Sequence, residues 1–95
     1  MTIKVVIERV SKPEHTKELE SLLIHLRTAG LRQPGYLSGE TWVSASDANT
    51  YLVISTWKSQ VEWWAWENSP ERKKRAKTIA PLLEMPEKIL IFKQL

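Results

Sequence analysis

Five tryptophans, two histidines and two glutamates set among apolar strand residues are the side chains of this 95-residue chain that could do chemistry. The tryptophans are the strongest lead. Large indoles lining a cleft with a few polar groups suit a flat aromatic or quinone-like ligand, held by stacking. Trp57, Trp66, Trp42 and Trp63 are the candidate substrate-binding residues. The competing use of such residues is to fill an interface between subunits, where tryptophan is enriched. Glu8 and Glu40 are the candidate catalytic groups. A carboxylate facing a dry cavity has its pKa raised by desolvation and becomes a general base. Taking a proton from a phenolic substrate leaves a carbanion that can donate an electron to dioxygen. The alternative for each glutamate is a cross-strand ion pair with Lys or Arg, or an exposed place at a sheet edge.

Other chemistries lack their residues. His15 and His25 sit ten positions apart, which on one helix means about 80° of rotation and about 15 Å of rise. They cannot share a metal within one chain, and no metal site is expected. There is no cysteine, which removes disulfides, thiolate zinc sites and Cys nucleophiles and fits a reducing compartment. No HExxH, Gly-rich phosphate loop or nucleophile elbow occurs, and no cofactor is implied. The formal net charge is +3, and residues 70–77 (PERKKRAK) alone hold +4. These basic residues wrap a helix on all sides, whereas nucleic-acid recognition needs basic charge gathered on one surface. They read as a solvated helix, or else as a site for an anionic ligand, and nucleic acid is not expected. No apolar run approaches the roughly 18 residues of a membrane span. The N-terminus lacks the apolar region of a signal peptide, so a cytoplasmic protein is expected. The length fits one domain over residues 1–95.

The elements that must position these groups follow from periodicity and punctuation. Thr2–Val10 alternates Ile3, Val5 and Ile7 with Lys4, Val6 and Glu8 and predicts a strand. Ser11 and Glu14 form a potential capping box, with Pro13 in the first turn. Leu19, Leu22, Leu23 and Leu26 then mark a helix of about 16 residues, which Gly30 and Pro34-Gly35 end. Tyr36–Ala45 predicts a second strand, with Leu37, Thr41 and Val43 on one side and Tyr36, Glu40 and Trp42 on the other. A turn at Ser46–Asn49 joins it to a third strand over Tyr51–Trp57. Ser59 and Glu62 form another capping box, opening a helix whose core stripe is Val61, Trp64, Ala65 and Asn68. Trp63 and Trp66 fall off that stripe. Ser69-Pro70-Glu71 restarts the helix, with Ala76, Ile79, Ala80 and Leu83 as its apolar face, and Pro81 makes its last turn irregular. Lys88–Gln94 predicts a fourth strand.

The order β-α-β-β-α-β is the ferredoxin-like plan, an α+β fold with a four-stranded antiparallel sheet and helices on one face. The face away from the helices should read polar at alternate positions. Neither side does: Tyr51, Val53 and Trp57 oppose Leu52 and Ile54 in the third strand, Ile89 and Ile91 oppose Leu90 and Phe92 in the fourth, and Ile3, Val5 and Ile7 oppose Val6 and Val10 in the first. An apolar face of that size exceeds what a monomer normally exposes. A twofold copy is therefore expected to cover it, giving a homodimer.

The plan, the Gln33-Pro34-Gly35-Tyr36 lead into the second strand with Gly39-Glu40 following, and the run from Trp57-Lys58-Ser59 through Trp66 to Ser69-Pro70-Glu71 resemble the antibiotic biosynthesis monooxygenase family over essentially the whole chain. The resemblance implies a dimeric α+β barrel, in which two sheets pack face to face, with a substrate pocket between sheet and helices in each subunit. It implies one of the family's activities: cofactor-independent oxygenation of aromatic polyketides and quinols, heme degradation, or isomerisation of a signalling sugar derivative. Many oxygenase and quinol-type members have a His where Trp66 stands, and often another where Glu71 stands; this chain has neither. The heme-degrading branch has Trp at the position of Trp66. It also needs an Asn where Glu8 stands and a His where Ala76 stands, so the axial ligand is missing and heme degradation is disfavoured. The expected function is a monooxygenase acting without metal or flavin on a small aromatic, quinol-like or polyketide compound. The alternative is a non-catalytic ligand-binding or stress-response dimer of the same fold.

Overall fold

The computed structural model describes residues 1–95. Four strands, β1 (Ile3–Val10), β2 (Tyr36–Val43), β3 (Thr50–Trp57) and β4 (Lys88–Lys93), form one sheet in the order β2-β3-β1-β4. Every neighbouring pair is antiparallel. Three helices, α1 (Thr16–Leu31), α2 (Gln60–Glu67) and α3 (Pro70–Ile79), complete the ferredoxin-like α+β architecture that the sequence predicts. The alternation in β1 decides which face is covered. Ile3, Val5, Ile7 and Arg9 are all buried beneath the helices, while Lys4 and Glu8 between them are exposed.

Caps explain the second half of the chain. Ser59 Oγ accepts the backbone N–H of Glu62 at the start of α2, and Ser69 Oγ accepts that of Arg72 at the start of α3. The break between these helices turns the chain so that both α2 and α3 reach the sheet side. Ser11 differs from expectation. It bridges to Leu83, its N–H bonds the Asn49 carbonyl at 2.8 Å, and its hydroxyl donates to the Lys12 carbonyl. Ser11 is drawn into an extension of the sheet, so α1 begins through a 3-10 turn at Pro13–His15 with no side-chain cap. Pro81 falls in a second 3-10 turn, Ala80–Leu82, the irregular end expected for α3.

Two apolar clusters fill the space between sheet and helices. One joins Ile3, Val5, Ile7, Ala29 and Trp57 to Trp63 and Trp66; the other joins Leu19, Leu23 and Tyr51 to Ile79, Leu82 and Leu83. Leu26 packs against both. In the second cluster the Tyr51 hydroxyl donates to Glu20 Oε2 at 2.7 Å. Burial first, then Glu20, pushes the Tyr51 phenol up to about 12. A group whose folded pKa is raised stabilises the fold fully below its unfolded value, near 10, and loses that contribution as pH rises through the folded value. Urea midpoints of the native protein should therefore fall relative to those of Tyr51→Phe between about pH 10 and 12. Parallel pH curves would exclude this role for Tyr51.

The other face of the sheet has an apolar centre and a polar border. Register places Ile54, Val6 and Leu90 in one row across β3, β1 and β4. Leu52 and Trp42 flank that row on one side and Phe92 on the other. Leu90, Phe92 and Trp42 are large and exposed. Lys4, Glu8, Glu40 and Lys88 share the face and keep it from being uniformly apolar.

Candidate active site

Where the two clusters meet, a cavity of about 60 Å³ remains between the sheet and the helices. Trp57, Trp63, Trp66 and Tyr36 supply its aromatic walls, and Arg9, Arg72 and Ser55 its main buried polar groups. The indoles meet edge to face. Trp57 lies 5.6 Å from Trp63 and 5.4 Å from Tyr36, centroid to centroid, at interplanar angles of 66° and 83°. Such pairs hold rings at fixed angles and resist collapse of the space between them.

Which face of α2 points inward is a correction to the sequence reading. Trp63 is 1% exposed and Trp66 is 5%, whereas Trp64 is 48% exposed. Both stripes satisfy helical spacing. The choice fell to the residue types waiting on the sheet: Trp57 and Ile3 pair across β3 and β1 at the position α2 covers. Tyr36 is a second correction. A bulge between Tyr36 and Ser38 shifts the β2 register by one residue. Tyr36 therefore lies opposite Trp57 on the cavity side, away from Glu40 and Trp42. Gly39 is needed there, because a Cβ would run into the Tyr36 hydroxyl. Gly35, just before the bulge, has φ 86°, the left-handed region that favours glycine.

Of the residues singled out from the sequence, Trp57, Trp63 and Trp66 line one cavity; Glu40 borders it, but its pairing with Ile54 sets its side chain on the opposite face of the sheet, a correction to its expected catalytic place. Arg27 and Thr41 are exposed and mark the mouth, between α1 and β2. Arg27 Nη2 donates to the Gly39 carbonyl at 2.6 Å and straps that mouth. Trp42 and Glu8 lie on the opposite face of the sheet. Glu8 is exposed and paired in register with Lys88 and Leu52. His15 sits beside Glu14 and Glu18 at the start of α1, outside the cavity lining, and His25 is exposed.

The closed end holds charge that the sequence reading missed. Arg9 Nε and Nη2 reach Glu87 Oε2 at 2.9 and 2.8 Å, and Arg72 Nη2 reaches Glu87 Oε1 at 3.4 Å. Arg72 is thus a buried residue, not part of the solvated basic helix that the PERKKRAK segment suggests. Two cations share one carboxylate, a local charge of +1. Burial pushes the Arg9 guanidinium below its ordinary value, Glu87 opposes that, and Arg72 adds to it. The group stays protonated; the direction records how poorly its charge is solvated. Arg72 Cζ stands 5.3 Å from the Trp63 ring centroid, a cation–π contact. Extending the β1 alternation one step, from Ile7 to Arg9, was the available signal for one of these residues. Nothing local marks Arg72, because its burial depends on Glu87, 15 positions on.

One polar atom is left over. Trp57 Nε1 donates to Ser55 Oγ at 3.0 Å, but Trp63 Nε1 is buried with no acceptor. An orphaned donor of this kind costs about 1–3 kcal/mol, and native structures hold few of them. The site therefore combines flat aromatic walls, an excess positive charge and an unspent donor. It can stack a ring and stabilise negative charge on that ring's oxygen.

The sequence profile of the antibiotic biosynthesis monooxygenase family matches residues 2–78. The chain belongs to this family. The monooxygenase-family fold is shared with a conserved protein of Methanosarcina mazei at 19% identity and TM-score 0.94, covering 100% of this chain and 94% of that one. A Mycobacterium tuberculosis protein is similar at 18% identity and TM-score 0.91, covering 100% and 96%. SnoaB, a cofactor-independent oxygenase from Streptomyces nogalater, is similar at 17% identity and TM-score 0.89, covering 99% and 93%. Comparison with curated proteins gives no match. None of its helices is long and apolar enough to cross a membrane.

Proposed function

We propose that this protein is a homodimeric, cofactor-independent monooxygenase acting on a small aromatic or quinol-like compound. The observation that carries the reading is the cavity in which Trp57, Trp63 and Trp66 converge on the Arg9–Glu87–Arg72 charge cluster. The similarity to a cofactor-independent oxygenase supports it. A phenolic ring packs against Trp66 and Tyr36 beside Leu26, and the positive end lowers the cost of the phenolate. The proton leaves through the exposed mouth to solvent. The anion passes one electron to dioxygen; the radical and superoxide combine at a ring carbon bearing hydrogen. The resulting hydroperoxide loses water to give a carbonyl. In sum, a phenol and dioxygen give a quinone and water, with both oxygen atoms accounted for and all four electrons drawn from the substrate.

The apolar centre of the open sheet face supports the dimer. Val6, Ile54, Leu52 and Leu90 form a contiguous strip with a charged border, the anatomy of a subunit interface. In this reading Trp42, Glu8 and Glu40 belong to that interface and Trp57, Trp63 and Trp66 to the active site.

Oxygen uptake with a panel of phenols and quinols tests the oxygenase. Wild type should turn over at least one of them. Arg72→Met should slow it roughly 100-fold, the scale of a lost donor to developing negative charge, and Trp66→Ala should raise KM. No uptake with any compound would sink the proposal. The second reading, a ligand-binding dimer without catalysis, is favoured by the cavity's size. Its roughly 60 Å³ is well below the ~300–1,000 Å³ of sites for drug-sized ligands.

A further inference from the structure

We propose that the closed end of this cavity is an oxyanion-receiving subsite. Trp63 Nε1 and the free donors of Arg72 hold the anionic oxygen of a compact, single-ring ligand, an aromatic carboxylate or a phenolate. This deepens the oxygenase reading of the same cavity, but it concerns binding and stands without turnover.

Three independent features converge. The first is the donor inventory. Trp63 Nε1 is the buried side-chain atom with no partner, while its neighbour Trp57 is satisfied by Ser55. A donor kept dry and unspent beside a cavity is what an arriving acceptor would satisfy. The second is the charge count. Glu87 faces two guanidiniums; Arg9 takes it at 2.8 Å in a close pair, whereas Arg72 makes one long contact at 3.4 Å. A guanidinium carries five N–H groups, and Arg72 spends one of them on a protein acceptor. A single incoming anion brings the cluster to neutrality. The third is the geometry. Arg72 lies over the face of the same indole whose N–H is free, so charge and donor are carried by two side chains in contact.

Size narrows the class. A water occupies about 30 Å³ of liquid, and a cavity of about 150 Å³ takes benzene; this one is about 60 Å³. The closed end admits a carboxylate or phenolate head. The ring needs more room than this, so the walls at Leu26, Trp66 and Tyr36 and the strap from Arg27 to Gly39 move outward to seat it. A polycyclic ligand does not fit this end.

The test is calorimetric titration of the full-length protein with benzoate, with neutral benzamide of the same shape, and with a phenol acidic enough to be ionised at neutral pH. Indole N–H resonances are followed in parallel, the Trp63 signal being assigned by its loss in Trp63→Phe. Wild type should prefer an anion over benzamide by about tenfold or more, the scale of charge-assisted hydrogen bonding, and the Trp63 N–H should shift downfield with the anion alone. Whichever anion binds tighter identifies the head group. Arg72→Met should erase the preference. That variant leaves Arg9 and Glu87 as a neutral pair, so its fold is expected to hold, and circular dichroism checks it. Equal binding of benzoate and benzamide, binding of no anion, or a shift at another indole overturns the proposal. Oxygen uptake is read separately. Anion preference without uptake removes only the oxygenase, and uptake without anion preference removes only the subsite.

Discussion

Leu90→Lys is expected to turn a two-chain particle into single chains at micromolar concentration. Leu90 lies in the middle row of the open sheet face, beside Val6 and one strand from Ile54. It is 42% exposed in the single chain, so a lysine there has room and the protomer's own core is untouched. In a twofold interface each residue occurs twice. Stranding a charge in an apolar contact costs on the order of 2–3 kcal/mol even after local adjustment, and two of them weaken association about a thousandfold or more. Sedimentation of wild type and variant at matched concentrations reads this directly, with circular dichroism showing that the variant stays folded. If wild type itself sediments as a stable single chain, the open face is a tolerated surface, and the dimer is lost from the account.

Glu87→Ala should be the most destabilising single truncation among the charged residues, and Arg72→Met far milder. The reason is a charge count, not a contact count. Removing Glu87 leaves Arg9 and Arg72, 2% and 5% exposed, as two unpaired buried cations that repel each other. Breaking a buried ion pair from one side costs about 3–5 kcal/mol. Glu87 is partly solvated, which argues for the lower end, about 3 kcal/mol or roughly 12–24 °C in Tm for a domain of this size. Removing Arg72 leaves the close Arg9–Glu87 pair, which is neutral and keeps its short hydrogen bonds. Replacing all three by Met, Met and Leu removes every buried charge and should recover most of the loss, because apolar substitution of a whole buried cluster is often neutral or stabilising. Urea midpoints at fixed protein concentration rank the variants. Equal losses for Glu87→Ala and Arg72→Met would show that packing dominates at this corner.

Much of the architecture was legible along the chain, since it rests on local signals. The β1 alternation, the leucine stripe of α1, and the serines that cap α2 and α3 each act within a few residues of themselves. The element order follows from them, and with it the ferredoxin-like plan. The site was legible in kind but not in arrangement. Tryptophans around a cavity were foreseen, yet the sequence favoured Trp64 as the buried residue of α2, and the fold buries Trp63 and Trp66. An eight-residue helix carries two defensible apolar stripes, and only the sheet it lands on selects one.

The same limit explains Tyr36, Arg72 and Glu40. A one-residue bulge inverts the facing of everything before it, so Tyr36 enters the cavity while Glu40 stays on the opposite face. Arg72 reads as one more surface cation until Glu87 arrives from the other side of the α3–β4 connection. Sequence by itself determined which segments are strands and helices, and that one face of the sheet would be greasy beyond need. Tertiary structure alone decided which indoles share a space, which carboxylate joins them, and that two buried guanidiniums close its end. Periodicity is a short-range property of the chain, whereas a cavity is made by residues that meet only after it has folded.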